Sequence, residues 1–223
     1  MTLSGPHIVV IDPGLRHPEL DSLNRLSLAA KLPLSYHLPA MFGLGSLASE
    51  DMTQVRGLVI FGSASSVNDR FPWQIELENF LRPHIIGGIP TLGLCYGHQM
   101  LAYMFGGRID FAWEDRHKAV GQRVIELDEG LLWSKSKGPV VVSHCEAVVD
   151  VPQDFEVVGT SPEVRVEALR HRSLPLWSFQ SHPEATKRFL LSQGIELGPE
   201  SLKFGHQLVQ GFLDYAASQD RTQ

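Results

Sequence analysis

Two cysteines, Cys95 and Cys145, are all that the 223 residues contain. That is too few for a disulfide framework, and a chain long enough to bury a sizeable core needs none, so a reducing compartment fits better than a secreted scaffold. Positive charge is not in excess either: 19 Lys and Arg stand against 25 Asp and Glu, for a net charge of -6. Without a basic stripe to neutralise phosphates, nucleic-acid binding is excluded. No apolar run approaches the ~18 residues of a membrane span. The first residues lack the basic start and apolar stretch of a signal peptide. The ten histidines show no paired spacing with thiolate or carboxylate support, so neither a catalytic metal nor another cofactor is expected. Repeats, low-complexity tracts and linkers are absent. These absences leave a cytoplasmic chain read as one domain over residues 1–223, with a small molecule or another protein as its partner.

The apolar residues that are present follow an alternating order. Residues 7–11, His-Ile-Val-Val-Ile, form a short apolar run closed by Asp12-Pro13-Gly14, as a buried strand should be. A helix with an imperfect face of Leu20, Leu23, Leu26, Leu28 and Ala30 follows, and residues 34–38 return as a strand. Residues 57–62 form the third strand. Pro72 then opens a helix carrying Ile75, Leu77, Phe80, Leu81 and Ile85, which ends near Gly87-Gly88. Residues 89–94 are the fourth strand and run into a helix over 96–105. Such βαβ alternation predicts a three-layer α/β fold, flavodoxin-like, with a mainly parallel sheet between helices. Segments 120–127, 140–143, 155–160, 164–169 and 176–180 are closely spaced strands, some of them pairing antiparallel at the sheet edge. Leu202, Leu208, Val209, Phe212, Leu213 and Ala216 close the chain with an amphipathic helix, and the polar tail from Ser218 is expected to fray.

Chemistry concentrates in two segments. Gly93-Leu94-Cys95-Tyr96-Gly97 follows a strand and opens a helix, the context that gives a glycine-flanked nucleophile its meaning. The flanking glycines let strand and helix approach closely, and the helix start surrounds the sulfur with free N–H groups and the positive end of the dipole. The Tyr96 N–H can face an oxyanion. Gln180-Ser181-His182-Pro183-Glu184 supplies an imidazole and a carboxylate two positions apart, which extended backbone projects to one side, and Pro183 favours that form at His182. A carboxylate beside an imidazole fixes its tautomer and stabilises the imidazolium. The order Cys, His, Glu differs from the nucleophile, acid, His order of an α/β-hydrolase. Gly43-Leu44-Gly45-Ser46 has no clear preceding strand, which argues against a phosphate loop. Trp113-Glu114-Asp115-Arg116 reads as a solvated loop near the mouth of the pocket.

At these residues the chain resembles the class I, or triad, glutamine amidotransferases, whose pattern is G-x-C-x-G-x-Q with a later Q-x-H-P-E. Gly93, Cys95, Gly97, Gln99, Gln180, His182, Pro183 and Glu184 match it position for position. Within the family the glutaminase domain of GMP synthase is most similar, through residues 62–68, 95–99, Gly106-Gly107, 143–146 and 182–186. The resemblance implies Cys95 as nucleophile, His182 as acid and base, and Glu184 as its orienter. It places Gly62 and Ser63, with Tyr96, around an oxyanion hole. It implies that Gln99, Ser143, His144 and Cys145 hold the substrate, with Ser63 and Cys145 standing where the family usually has glycine. His144 fits either a core or a surface position.

By the same resemblance the substrate is L-glutamine, hydrolysed through a thioester to glutamate and ammonia for a synthetase or acceptor subunit. The synthetase loop S-G-G-x-D-S is absent from these 223 residues. Two alternatives stay open. One is a stand-alone hydrolase of another γ-glutamyl amide, for which Cys145 and the stretch 187–200 are the features that would reshape specificity. The other is a regulatory amidotransferase subunit that works only with its partner.

Overall fold

The computed structural model describes residues 3–219. Strands β1 (His7–Ile11) and β3 (Val55–Ile60) are buried along their whole length, as short Val/Ile/Leu runs are when helices cover both faces of a sheet. Between them lie α1 (Leu20–Ala29), β2 (Leu34–His37) and two single-turn helices, α2 (Pro39–Phe42) and α3 (Gly45–Ala48). Then come α4 (Pro72–Ile86), β4 (Thr91–Leu94) and α5 (Tyr96–Met104). The second half runs through β5 (Arg108–Phe111), β6 (Ala119–Leu127), β7 (Ser136–His144), β8 (Glu146–Asp150), β9 (Phe155–Thr160), β10 (Ala168–His171) and β11 (Leu176–Phe179). Helices α6 (Lys187–Ser192) and α7 (Lys203–Ser218) complete it.

Nine of these strands share one sheet in the order β2-β1-β3-β4-β11-β10-β9-β6-β7. The pairings from β2 to β11 are parallel, and those from β11 to β7 are antiparallel. The expected antiparallel edge is therefore a wing four strands deep. Alternation along each strand divides the core. Val9, Ile11, Leu58 and Ile60 pack with Leu77, Leu81 and Ile85 of α4 and with Met100 and Leu101 of α5. Ile8, Val10, Val59 and Phe61 point the other way, onto Leu26 of α1 and Leu208, Phe212 and Leu213 of α7. Helices thus cover both faces, the three-layer α/β arrangement expected of the sequence.

Some local expectations change. The strand anticipated over 164–169 begins only at Ala168, because Ser161 and Val164 close a tight turn: the Ser161 N–H donates to the Val164 carbonyl at 3.0 Å, and the Val164 N–H to Ser161 Oγ at 3.0 Å. β5 and β8, an antiparallel pair outside the main sheet, were not anticipated. The stretch after the His182 segment holds α6, capped by Thr186 Oγ1 accepting from the Phe189 N–H at 3.3 Å. Ser218 is the last residue of α7 rather than part of a frayed tail. The rest of that expectation falls on residues 220–223, outside the described residues. Among the described residues no helix is long and apolar enough to cross a membrane.

Candidate active site

The C-terminal ends of β3, β4 and β11 meet at one edge of the parallel sheet, where open α/β sheets bind their ligands. Cys95 links β4 to α5 with φ 51° and ψ −100°. A non-glycine residue held at positive φ is strained by about 1–3 kcal/mol, a cost found where a side chain must be presented at a fixed angle. Two contacts enforce the turn: the Cys95 N–H donates to the Phe179 carbonyl at 2.8 Å and the Gly97 N–H to the Phe61 carbonyl at 3.3 Å. A Cβ on Gly97 would lie 2.4 Å from the Ile60 carbonyl oxygen, so only glycine lets α5 come this close to β3. Tyr96, at the first helical position, has one of the amides that a helix start leaves without an intrahelical partner.

His182 and Glu184 stand directly after β11. His182 Nδ1 is 2.9 Å from Glu184 Oε1, and both residues are buried. The His182 N–H donates to the Val141 carbonyl at 2.8 Å, and its ring packs on Phe189 of α6 at 4.6 Å between centroids. Burial opposes the charged form of His182. The Cys95 sulfur and the Glu184 carboxylate, by charge and by hydrogen bonding, outweigh it and hold the imidazole well above its ordinary pKa. Imidazole and carboxylate are therefore a hydrogen-bonded pair, and the Cys95 sulfur lies near enough to favour the imidazolium.

Gly62 follows β3 and faces this group. A Cβ there would sit 2.7 Å from His182 Cε1 and 3.5 Å from Cys95 Cβ. Ser63 is held by donation from its Oγ to the Pro13 carbonyl at 2.7 Å, and Ser63 Oγ accepts from the Ser65 N–H at 3.1 Å. Neither Ser63 nor Cys145 has positive φ, so the backbone at both positions accepts a residue with a Cβ.

Gln99 lies one helical turn beyond Cys95, with its amide nitrogen donating to the Glu146 carbonyl at 2.8 Å and to Gln180 Oε1 at 3.2 Å. Gln180, to which the motif alone gives no role, donates from Nε2 to the Cys95 sulfur at 3.9 Å. The turn at 143–146 is brought here by the Glu146 carbonyl. His144 is a core residue, its Nδ1 donating to that same carbonyl at 2.9 Å. Burial first, then the Arg123 guanidinium, push its pKa down to about 4, so the imidazole is neutral. Ser143 Oγ points to Gln193 Oε1 at 2.7 Å, and the half-buried Cys145 is a free thiol. Trp113 is half-buried rather than solvated and stacks on His117 and His144 at 4.3 and 5.6 Å. Sequence reasoning also passes over Arg123 and Glu167. The available signal is parity: Arg123 shares the inward register of β6 with Ile125 and Leu127.

An α/β sheet whose parallel strands deliver a strained cysteine, an imidazole and a carboxylate to one edge defines the class of open α/β folds with a cysteine-bearing site at the strand ends. Within that class, the chain belongs to the glutamine amidotransferase class-I family, whose model matches residues 44–191. It is 36% identical over 121 residues to a subunit of the GMP synthase [glutamine-hydrolyzing] of Methanopyrus kandleri, covering 53% of this chain and 60% of that one. The GMP synthase [glutamine-hydrolyzing] of Porphyromonas gingivalis is 32% identical over 136 residues, which are 60% of this chain but 26% of that enzyme. The chain thus spans about a quarter of the length of that relative. A glutamine amidotransferase from Thermotoga maritima has the same fold, with a TM-score of 0.77 at 15% identity over 97% of this chain and 100% of that one.

Proposed function

We propose that this chain hydrolyses the side-chain amide of L-glutamine through a thioester on Cys95. The observation that carries the proposal is the convergence beside Gly62 of Cys95, on a strained strand-to-helix turn, and the His182–Glu184 pair that follows β11. Cys95 Sγ attacks the γ-carbonyl carbon, forming the C–S bond, and the negative charge on oxygen is met by N–H groups at Tyr96 and around Gly62 and Ser63. The imidazolium of His182 gives its proton to the departing nitrogen as the C–N bond breaks, releasing ammonia. His182 then takes a proton from the attacking water, the C–S bond breaks, and glutamate leaves. Glu184 keeps the imidazole oriented and balances its charge in both halves. The relatives named GMP synthase support delivery of the ammonia to a synthetase or acceptor subunit. Gln99, with the 143–146 turn, forms the substrate side of the pocket.

A diazo-ketone analogue of glutamine is expected to label Cys95, read by peptide mass spectrometry, and Cys95→Ala to abolish ammonia release. Ammonia release that survives Cys95→Ala overturns the mechanism. A second reading, a hydrolase of other γ-glutamyl amides, is favoured by α6 alone. Its Phe189 lies on His182, and Gln193 just beyond it ties Ser143 to Lys118, at 2.7 and 3.2 Å. Kinetics that favour γ-glutamyl dipeptides over glutamine would select it.

A further inference from the structure

Between the antiparallel wing and Cys95 runs an unbroken line of hydrogen bonds whose far end, at Arg123 and Glu167, the mechanism above does not use. Arg123 on β6 donates from Nη1 to Glu167 Oε1 at 2.8 Å and to His144 Nε2 at 3.2 Å. Ser161 Oγ also donates to that Glu167 oxygen, at 2.7 Å. Because Nε2 of His144 accepts, its proton lies on Nδ1, which donates to the Glu146 carbonyl. That carbonyl takes the Gln99 amide as well, Gln99 reaches Gln180, and Gln180 reaches the Cys95 sulfur. Glu167 closes the circuit through its backbone, accepting from the Gln180 N–H at 2.8 Å. Arg123, His144, Glu167, Gln99 and Gln180 are all buried.

A buried ion pair such as Arg123 with Glu167 is a weak stabiliser, since an apolar pair of similar volume often serves as well. Its geometry here does something an apolar pair cannot. One guanidinium nitrogen is shared between a carboxylate that fixes the guanidinium and an imidazole whose tautomer it sets. The Trp113 ring lies 5.7 Å from the guanidinium and covers the pair from the outside.

We infer that Arg123 is a positioning residue: through His144 it fixes the turn at 143–146 against Gln99, and so sets the substrate side of the pocket without touching the reacting atoms. This rests on the reading of the 143–146 turn as the substrate-holding segment. Loss of Arg123 then loosens the turn and weakens substrate binding, while Cys95, His182 and Glu184 keep their own contacts.

Cys145 makes the inference testable without a substrate, because its half-buried thiol lies within the turn. The full-length chain would be alkylated with iodoacetamide and the rates at Cys95 and Cys145 read separately by peptide mass spectrometry, with and without L-glutamine. The double variant Arg123→Met/Glu167→Met leaves no unpaired buried charge. In it Cys145 should react about tenfold faster, as loss of one buried hydrogen bond to the turn predicts, with Cys95 changed by less than about threefold. The glutamine concentration that half-protects Cys95 should rise about tenfold, and KM should rise more than kcat falls. Should the double variant not fold, Arg123→Lys carries the same test, because a point donor cannot serve Glu167 and His144 in the guanidinium's geometry. Unchanged Cys145 reactivity in a folded variant overturns the inference. Failure of glutamine to protect the wild-type chain overturns the substrate reading instead, and the Cys145 rates still decide the role of Arg123.

Discussion

Gly62 sits where an added methyl group would have to displace His182. A Cβ at 2.7 Å from Cε1 is about a full ångström inside van der Waals contact, and the imidazole is fixed on its other sides by Glu184 and Phe189. Gly62→Ala is therefore expected to swing the ring away from Cys95 and lower kcat for ammonia release by about 100-fold, the scale of a 1 Å misplacement. The melting temperature should move by only a few degrees, because the clash falls on one side chain at the edge of the sheet. Steady-state ammonia release and thermal unfolding on one preparation check both parts. At this scale the sequence was most legible where residue types carry chemistry in a fixed spacing, as in Gly93 to Gln99 and Gln180 to Glu184. It was least legible where a role depends on what lies across the sheet. Arg123 and Glu167 are 44 residues apart, and only the pairing of β6 with β9 and of β9 with β10 brings their segments together. The same is true of Ser63, whose hydroxyl is anchored by Pro13 from the end of another strand.

The approach of α5 to β3 is the element-scale condition for the whole turn. Gly97 holds it open, since any Cβ there meets the Ile60 carbonyl at 2.4 Å and the Ile60 side chain at 3.0 Å. Backbone cannot step aside as a flexible side chain can, so Gly97→Ala should force the helix outward. The expected loss is about 2–3 kcal/mol in urea unfolding, the usual scale of overpacking in a close-packed interior, with Cys95 alkylation changed because its turn is rebuilt. A variant of unchanged stability and unchanged Cys95 reactivity would mean that α5 is seated elsewhere. Elements with a clear apolar pattern between turn residues were legible in the sequence with their ends almost in place: β1, β9 and α4 are examples. β5 escaped notice because it is four residues long and all but Ile109 are exposed, leaving no burial pattern to read. β10 starts late because Ser161 competes for the local backbone, which apolar periodicity in 164–169 does not register. The six-residue α6 is too short for helical periodicity to stand out, and its cap, Thr186, is its only strong signal.

For the molecule as a whole, the buried histidines make stability depend on pH in a direction that can be worked out group by group. His98, wholly buried on α5 with Nδ1 2.8 Å from Ser178 Oγ, has its pKa pushed down to about 3 by burial and by nearby His144. His144 stands at about 4. In the unfolded chain both return to the ordinary 6.5, so as pH falls below that value the unfolded state takes up two protons that the folded state refuses. Stability is then lost progressively from pH 6.5 downward, until each group's folded pKa is reached. Between pH 6.5 and 5 the loss should be about 2 kcal/mol from each of the two. His182 has the opposite sign. Its raised pKa contributes stability that fades as pH rises through the folded value and is complete only well below 6.5, so it offsets part of the acid loss between pH 7 and 6 and little of it below. Glu19 offsets part of that slope near its own raised pKa, where burial and the neighbouring Asp12 make the folded state protonate first. His37, His171 and His206, also lowered by burial, add to the slope. Urea unfolding at pH 7, 6 and 5 should therefore show falling stability, and His98→Asn, which keeps a polar side chain for Ser178 but cannot titrate, should make the fall measurably shallower. An unchanged slope in that variant would mean that His98 gains its proton in the folded protein, and with it that α5 is not closed over the sheet at that pH.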